Sequence, residues 1–218
     1  SKEEPYDGEK VQSAMTITDY EGHIVGLVGG AGEKLVNRGL NRATSSPRQP
    51  GSTMKPAIAI AGLTENKINS TKTYDCTRYY TCEDQTFQCL SQHGDITVTS
   101  ALEKSCNIFF FELGRELGID KMNKYASLFG LGQKTGIELP ETAGMLASVA
   151  NKEALGETWN AGDTVQAAIG QSDNLFTPIQ LANYAATIAN GGTRYQPYVI
   201  KSVLSADMSE IIYETEPT

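Results

Sequence analysis

A single stretch limits what this chain can fold into and what it can do: Arg48-Gln49-Pro50-Gly51-Ser52-Thr53-Met54-Lys55-Pro56, followed by the apolar run Ala57-Ile58-Ala59-Ile60-Ala61. Pro50 and Gly51 stop whatever precedes them, and Pro56 fits the first turn of a helix, where no backbone donor is lost. Ser52 is therefore expected at the entrance of a helix, with Lys55 three residues on and on the same face, so that hydroxyl and amine meet. The partial positive charge of a helix N-terminus favours alkoxide character at Ser52 and disfavours a second positive charge on Lys55. A desolvated lysine has a lowered pKa and can take the hydroxyl proton. That is serine acyl-transfer chemistry without a histidine. Ordinary residue usage produces about one S-x-x-K in a chain of this size by accident, so the weight falls on the Pro-Gly lead-in, the apolar helix behind it and the stretches downstream.

Those stretches come in a fixed order. Asn41-Arg42-Ala43-Thr44 leads into the serine motif, and Ser105-Cys106-Asn107 lies well downstream. Gly130-Leu131-Gly132, Thr135-Gly136-Ile137-Glu138-Leu139-Pro140 and Ala168-Ile169-Gly170-Gln171 follow. Thr177-Pro178-Ile179-Gln180-Leu181-Ala182 and Ile188-Ala189-Asn190-Gly191-Gly192 complete the set. As an ordered series these resemble the transpeptidase domain of penicillin-binding proteins, whose signatures are S-x-x-K, S-x-N and K-T-G. The likeness runs from about Ala14 to about Ile200, and the Asn41 to Pro56 lead-in looks like the bifunctional, class A members.

The resemblance implies an α/β fold: an antiparallel sheet flanked by helices, with a mainly helical subdomain and the active site between them. It implies a peptidoglycan D,D-transpeptidase that cross-links stem peptides ending in D-Ala-D-Ala and is trapped by β-lactams. Ser52 would be the nucleophile and Lys55 the base for acylation. Ser105 would relay a proton to the leaving nitrogen, and Asn107 would hold the substrate backbone and Lys55. No metal or organic cofactor is called for. The alternatives are a D,D-carboxypeptidase or β-lactamase-type hydrolase, for which Glu138 and Glu153 are the available acids, and a non-catalytic module that binds cell-wall fragments or β-lactams.

Two literal matches stand in the wrong order and are assigned structural roles. Lys134-Thr135-Gly136 precedes Ile137-Glu138-Leu139-Pro140, where the family carries a structural T-G-I-x-L-P, and Ser172-Asp173-Asn174 follows it directly behind Ile169-Gly170-Gln171. The family's catalytic K-T-G strand comes later still. Residues 1–218 are thus expected to be one transpeptidase domain, incomplete at the C-terminus for want of its K-T-G portion. Weak or absent acylation is expected of this segment alone, since a lost oxyanion donor costs about a hundredfold or more.

Composition narrows the setting. A net charge of −8 argues against nucleic-acid binding, which needs a basic face. No stretch approaches eighteen apolar residues, and Ser1-Lys2-Glu3-Glu4-Pro5 reads as a linker, so a membrane anchor is expected only in a segment outside this chain. The family works at the extracytoplasmic face of the bacterial membrane, where disulfides persist. Of the four cysteines, Cys76, Cys82 and Cys89 fall in one polar segment, and Cys76 with Cys89 is the first choice for a pair. A zinc site is the rival reading. Its difficulty is that the spacings match no common ligand pattern and His93 alone does not complete one, while Cys106 reads as a free, partly buried thiol.

For secondary structure, a hairpin is expected over Val11 to Ile17 and His23 to Val28, with His23 an exposed strand residue rather than a base. A Gly-, Arg- and Asn-rich connection, which by resemblance leads to the active-site serine, is expected from Ala31 to Pro50, and Lys67 to Gly94 is expected to be a cysteine-bearing loop. Helices are expected through Ala101–Lys104, from Ile108 to near Gly118, over Asp120–Phe129 and from Pro178 to Gly191. Two short strands should close the chain, at Tyr198–Leu204 and Ile211–Tyr213.

Overall fold

The computed structural model describes residues 12–31 and 40–218. Val11 and residues 32–39 of the expected 31–50 connection lie outside the described residues. In chain order the elements are β1 (Met15–Thr18), β2 (Ile24–Val28), α1 (Arg42–Ser45), a 3-10 turn (Gly51–Met54) and α2 (Lys55–Thr64). Then come β3 (Thr73–Cys76), β4 (Tyr79–Cys82), β5 (Gln85–Gln88), β6 (Gly94–Thr97), α3 (Val98–Glu103), α4 (Asn107–Leu117) and α5 (Ile119–Leu128). The chain finishes with α6 (Val149–Ala154), α7 (Ala161–Ala168), α8 (Pro178–Ala189), β7 (Ser202–Leu204) and β8 (Ile211–Glu214).

The class is α/β with antiparallel pairing, as expected. Among the described residues, however, the strands form four two-stranded ladders, β1–β2, β3–β6, β4–β5 and β7–β8, rather than one continuous sheet. The segment taken for a loop, Lys67 to Gly94, contains β3, β4 and β5 and reaches the first residue of β6. Each of these strands has four residues, too few for a period-two signal to stand out. The alternation is there in the fold: along β4, Tyr80 and Cys82 are buried and Tyr79 and Thr81 exposed. Helices α6 and α7 were not anticipated. The first is short and buries no residue, and the second starts from a capping box between Asn160 and Asp163 that the surrounding loop residues mask.

The chain divides into two compact units. One comprises residues up to 47, 134–143 and 177–218. Its core holds Ile24, Ile137 and Ile179, with Leu27 and Leu139 packed against them. Helix α8 has the expected punctuation: Thr177 and Gln180 form a capping box, Pro178 opens the helix, and Gly191 and Gly192 follow its end in positive-φ conformations. His23 lies half-buried with its ring stacked on Tyr198 at 5.3 Å, a structural placement.

The other unit comprises residues 48–133 and 144–176 and carries α2, α4, α5 and α7 around a dense apolar core. Phe109, Phe110, Phe111 and Leu113 of α4 are fully buried, with Ile58 of α2 and Met122 of α5. Gly114 lets α4 and α7 approach closely, since a Cβ there would meet Ala168 Cβ at 2.5 Å. On α5, Met122, Tyr125 and Ala126 are buried, and Phe129, just past the helix end at Leu128, is half-buried.

Candidate active site

All the elements of the site belong to the second unit. Gly51 adopts φ +56° and opens the 3-10 turn that carries Ser52, and Lys55 is the first residue of α2. In a 3-10 turn residues i and i+3 eclipse, so Ser52 stands over Lys55 more directly than on an α-helix. A backbone clamp holds the turn. Gly51 N–H donates to Gly170 O at 3.0 Å, and the approach is so close that a Cβ on Gly170 would meet Gly51 O at 2.2 Å. Arg48 pairs with Phe176 through both backbone bonds, at 2.9 Å each.

The second part of the site is the bend between α3 and α4. Ser105 has φ +51°, a conformation that costs a residue with a Cβ, and Asn107 opens α4. This bend brings the expected residues together. Lys55 Nζ donates to Ser105 O at 2.8 Å, to Ser105 Oγ at 3.0 Å and to Asn107 Oδ1 at 2.7 Å. Ser105 Oγ donates in turn to Ser52 Oγ at 3.0 Å. Ser52 is exposed, Ser105 and Asn107 are half-buried, and Lys55 is only 1% exposed. One expectation changes here. Direct exchange between Ser52 and Lys55 was anticipated, but the three donors of Lys55 are committed to Ser105 and Asn107, and the Ser105 hydroxyl lies between the Lys55 amine and the Ser52 hydroxyl.

Burial lowers the Lys55 pKa to about 8, against the opposing pull of the Cys89 and Cys106 sulfurs. The Phe110 ring, 5.6 Å from Nζ, forms part of the apolar wall that displaces water from the amine. A lysine in this state has an appreciable neutral fraction near pH 7 and can accept a proton.

The decoy strings have structural partners. Thr135 N–H, Thr135 Oγ1 and Gly136 N–H all donate to the Glu141 carboxylate at 2.8–2.9 Å. Ser172 Oγ donates to Asp163, and buried Asn174 bridges Ala147, Ala167 and Gln171 through backbone groups. Of the two acids considered for water activation, Glu138 accepts the backbone N–H groups of Val199 and Ile200 within the first unit, and Glu153 is exposed on α6.

The cysteines depart from the expectation. All four are free and buried, so the Cys76–Cys89 disulfide is not formed. Cys106, expected to be free and partly buried, is free and fully buried, and lies with Cys76, Cys89 and His93 in one group whose donor atoms are within 4.8 Å of one another. Sequence spacing could not bring Cys106 into this set, because it reaches the others only through the α3–α4 bend.

The model of the penicillin-binding protein transpeptidase domain matches residues 13–218. The chain belongs to this family. It is 32% identical over 172 residues to the peptidoglycan D,D-transpeptidase MrdA of Acinetobacter baumannii, covering 76% of this chain and 26% of that protein. Among solved structures, it is similar to a chain of a peptidoglycan synthase complex, with a TM-score of 0.81 and 29% identity over 95% of this chain and 38% of that one. It is also similar to PBP2 of Pseudomonas aeruginosa, with a TM-score of 0.79 and 26% identity over 94% and 52% of the two chains. The chain spans about a quarter of the length of the curated MrdA relatives it matches. The class A likeness read from the Asn41 to Pro56 lead-in is corrected by these relatives, which are of the PBP2, class B type.

Proposed function

We propose that the protein carrying this chain is a peptidoglycan D,D-transpeptidase acting at the extracytoplasmic face of the bacterial membrane. In it Ser52 is the nucleophile, Lys55 the base, Ser105 the proton relay, and Asn107 the residue that orients Lys55 and the substrate backbone. The observation that carries this reading is the continuous chain from the exposed Ser52 Oγ through Ser105 Oγ to the buried Lys55 Nζ, with Asn107 Oδ1 fixing the amine.

The chemistry follows from those contacts. Neutral Lys55 draws the Ser105 proton as Ser105 draws that of Ser52, and Ser52 Oγ attacks the carbonyl between the two D-alanines. The C–N bond then breaks, the proton returns through Ser105 to the leaving amine, and an ester to Ser52 remains. The amine of a neighbouring stem peptide resolves this ester in the same manner, restoring Ser52 and completing the cross-link. A β-lactam presents a strained amide to the same oxygen and leaves a stable ester. The transpeptidase domain assignment extends over residues 1–218.

Labelling with a fluorescent penicillin in the protein at its native length tests the reading. Ser52→Ala should abolish the covalent label, and Ser172→Ala should leave it close to wild type. Retention of the label by Ser52→Ala, with loss in Ser172→Ala, would transfer the nucleophile to the other serine motif.

A further inference from the structure

The Ser172-Asp173-Asn174 string, which acyl transfer does not use, lies behind the turn that carries Ser52. Contacts at three places join the stretch 170–176 to residues 48–51. Gly51 N–H donates to Gly170 O, Gln49 Nε2 donates to Ser172 O at 2.7 Å, and Arg48 and Phe176 exchange both backbone bonds. The middle contact depends on the turn at Ser172, whose φ of +54° costs a residue with a Cβ.

Charge surrounds that turn. Lys152 of α6 places its Nζ 2.9 Å from Glu157 Oε2, 3.5 Å from Asp163 Oδ1 and 3.7 Å from Asp173 Oδ2. Glu157 is 57% exposed, so its pair contributes little, whereas the Lys152, Asp163 and Asp173 side chains are 15%, 14% and 23% exposed. The two inner carboxylates are not equivalent. Asp163 also accepts hydrogen bonds from Ser172 Oγ and from the Asn160 backbone N–H. Asp173 Oδ2 is buried and accepts no hydrogen bond among the described residues, so its negative charge faces Lys152 alone among their ion pairs. Without that cation the carboxylate would be driven toward water. Asn174, next in the chain, is fixed to Ala147, Ala167 and Gln171, so the displacement would fall on the Ser172 turn. The lysine is a permanent cation: the Glu157 hydrogen bond foremost, then Asp163 and Asp173, raise its pKa to about 12 against the opposing effect of burial.

We propose that Lys152 is a positioning residue for acyl transfer: by balancing the charge of Asp173 it keeps the Ser172 carbonyl on Gln49 and the Ser52 turn seated against Gly170. The groups that act are the Lys152 ammonium, the Asp173 carboxylate and the backbone carbonyl of Ser172. The Ser172 hydroxyl is one of two donors to Asp163 and is not required for the grip. The consequence for Ser52 rests on the acyl-transfer reading above, whereas the hold on residues 48–51 does not.

Two readouts on the protein at its native length test this. In Lys152→Met, amide hydrogen exchange in a peptide covering residues 48–56 should quicken about tenfold or more relative to one covering α5. The limiting rate of acylation by a fluorescent penicillin should fall about 10–100-fold, with the half-saturating penicillin concentration unchanged. In the Asp173→Asn background no carboxylate is left to balance at that position, and the same lysine substitution should change either readout by less than about threefold. Lys121→Met, which breaks the ion pair with Glu65 elsewhere in this unit, should leave both near wild type. If Lys152→Met does not fold, recovery of a folded, labelling protein on adding Asp173→Asn supports the charge balance, and failure to recover overturns it. Equal losses in both backgrounds would reduce Lys152 to packing and overturn the proposal, as would unchanged exchange over residues 48–56 or a loss confined to the half-saturating concentration. Quickened exchange with unchanged acylation overturns the link to Ser52. Absence of labelling in the wild type counts against the acyl-transfer reading instead, and exchange then decides the hold on residues 48–51.

Discussion

Acylation should follow the protonation of Lys55. Burial sets its pKa near 8, so about one-tenth of the amine is neutral at pH 7 and about nine-tenths at pH 9, a tenfold gain in competent enzyme. At the unperturbed pKa the neutral fraction at pH 7 would be smaller by about a few hundredfold, which is the kinetic value of the apolar wall. The second-order rate constant for labelling by a fluorescent penicillin should therefore rise about tenfold between pH 7 and 9 with a single inflection near 8, once loss of reagent at high pH is subtracted. The same proton affects stability. Between pH 8 and 10.5 the unfolded chain holds a proton on this lysine that the folded chain does not, so this group's contribution makes the fold more stable as pH rises through that window. The 2.5-unit depression corresponds to about 3 kcal/mol for a side chain almost fully removed from water. Denaturant unfolding of wild type and Lys55→Met at pH 7 and pH 10.5 should show wild type gaining most of that amount relative to the variant. A flat rate profile from pH 7 to 9, together with an unchanged stability difference, would refute the assignment of Lys55 as the base.

Ser105→Ala removes the bridge between Ser52 and Lys55 and should slow penicillin acylation by about 10²–10⁴-fold with little change in the thermal midpoint. Gly170→Ala puts a Cβ against Gly51 O in a positive-φ conformation; it should destabilise the fold by about 2–4 kcal/mol in chemical denaturation and slow labelling by displacing the Ser52 turn. Thr177→Ala breaks the capping box of α8 and should cost about 1 kcal/mol in the same unfolding assay.

Local chemistry was legible in the sequence wherever it depends on neighbours in the chain. Pro50-Gly51 and Pro56 marked the Ser52 turn, Thr177-Pro178 and Gly191-Gly192 bounded α8, and the order of motifs identified Ser52, Lys55, Ser105 and Asn107 as one set. The wrong order of Lys134-Thr135-Gly136 and Ser172-Asp173-Asn174 was enough to assign them to structure, and their hydrogen bonds to Glu141, Asp163 and backbone groups agree. Tertiary structure alone decided which atoms touch. The Ser105 hydroxyl sits between Ser52 and Lys55 because a positive-φ bend between α3 and α4 turns it there, and no spacing rule predicts that. The strands β3 to β6 were hidden because four-residue strands carry too little periodicity to outweigh their polar composition. Cys106 joined Cys76, Cys89 and His93 for the same reason that Ser52, Lys55, Ser105 and Asn107 meet: side chains distant along the chain become neighbours only when buried apolar helices fix where each bend must lie.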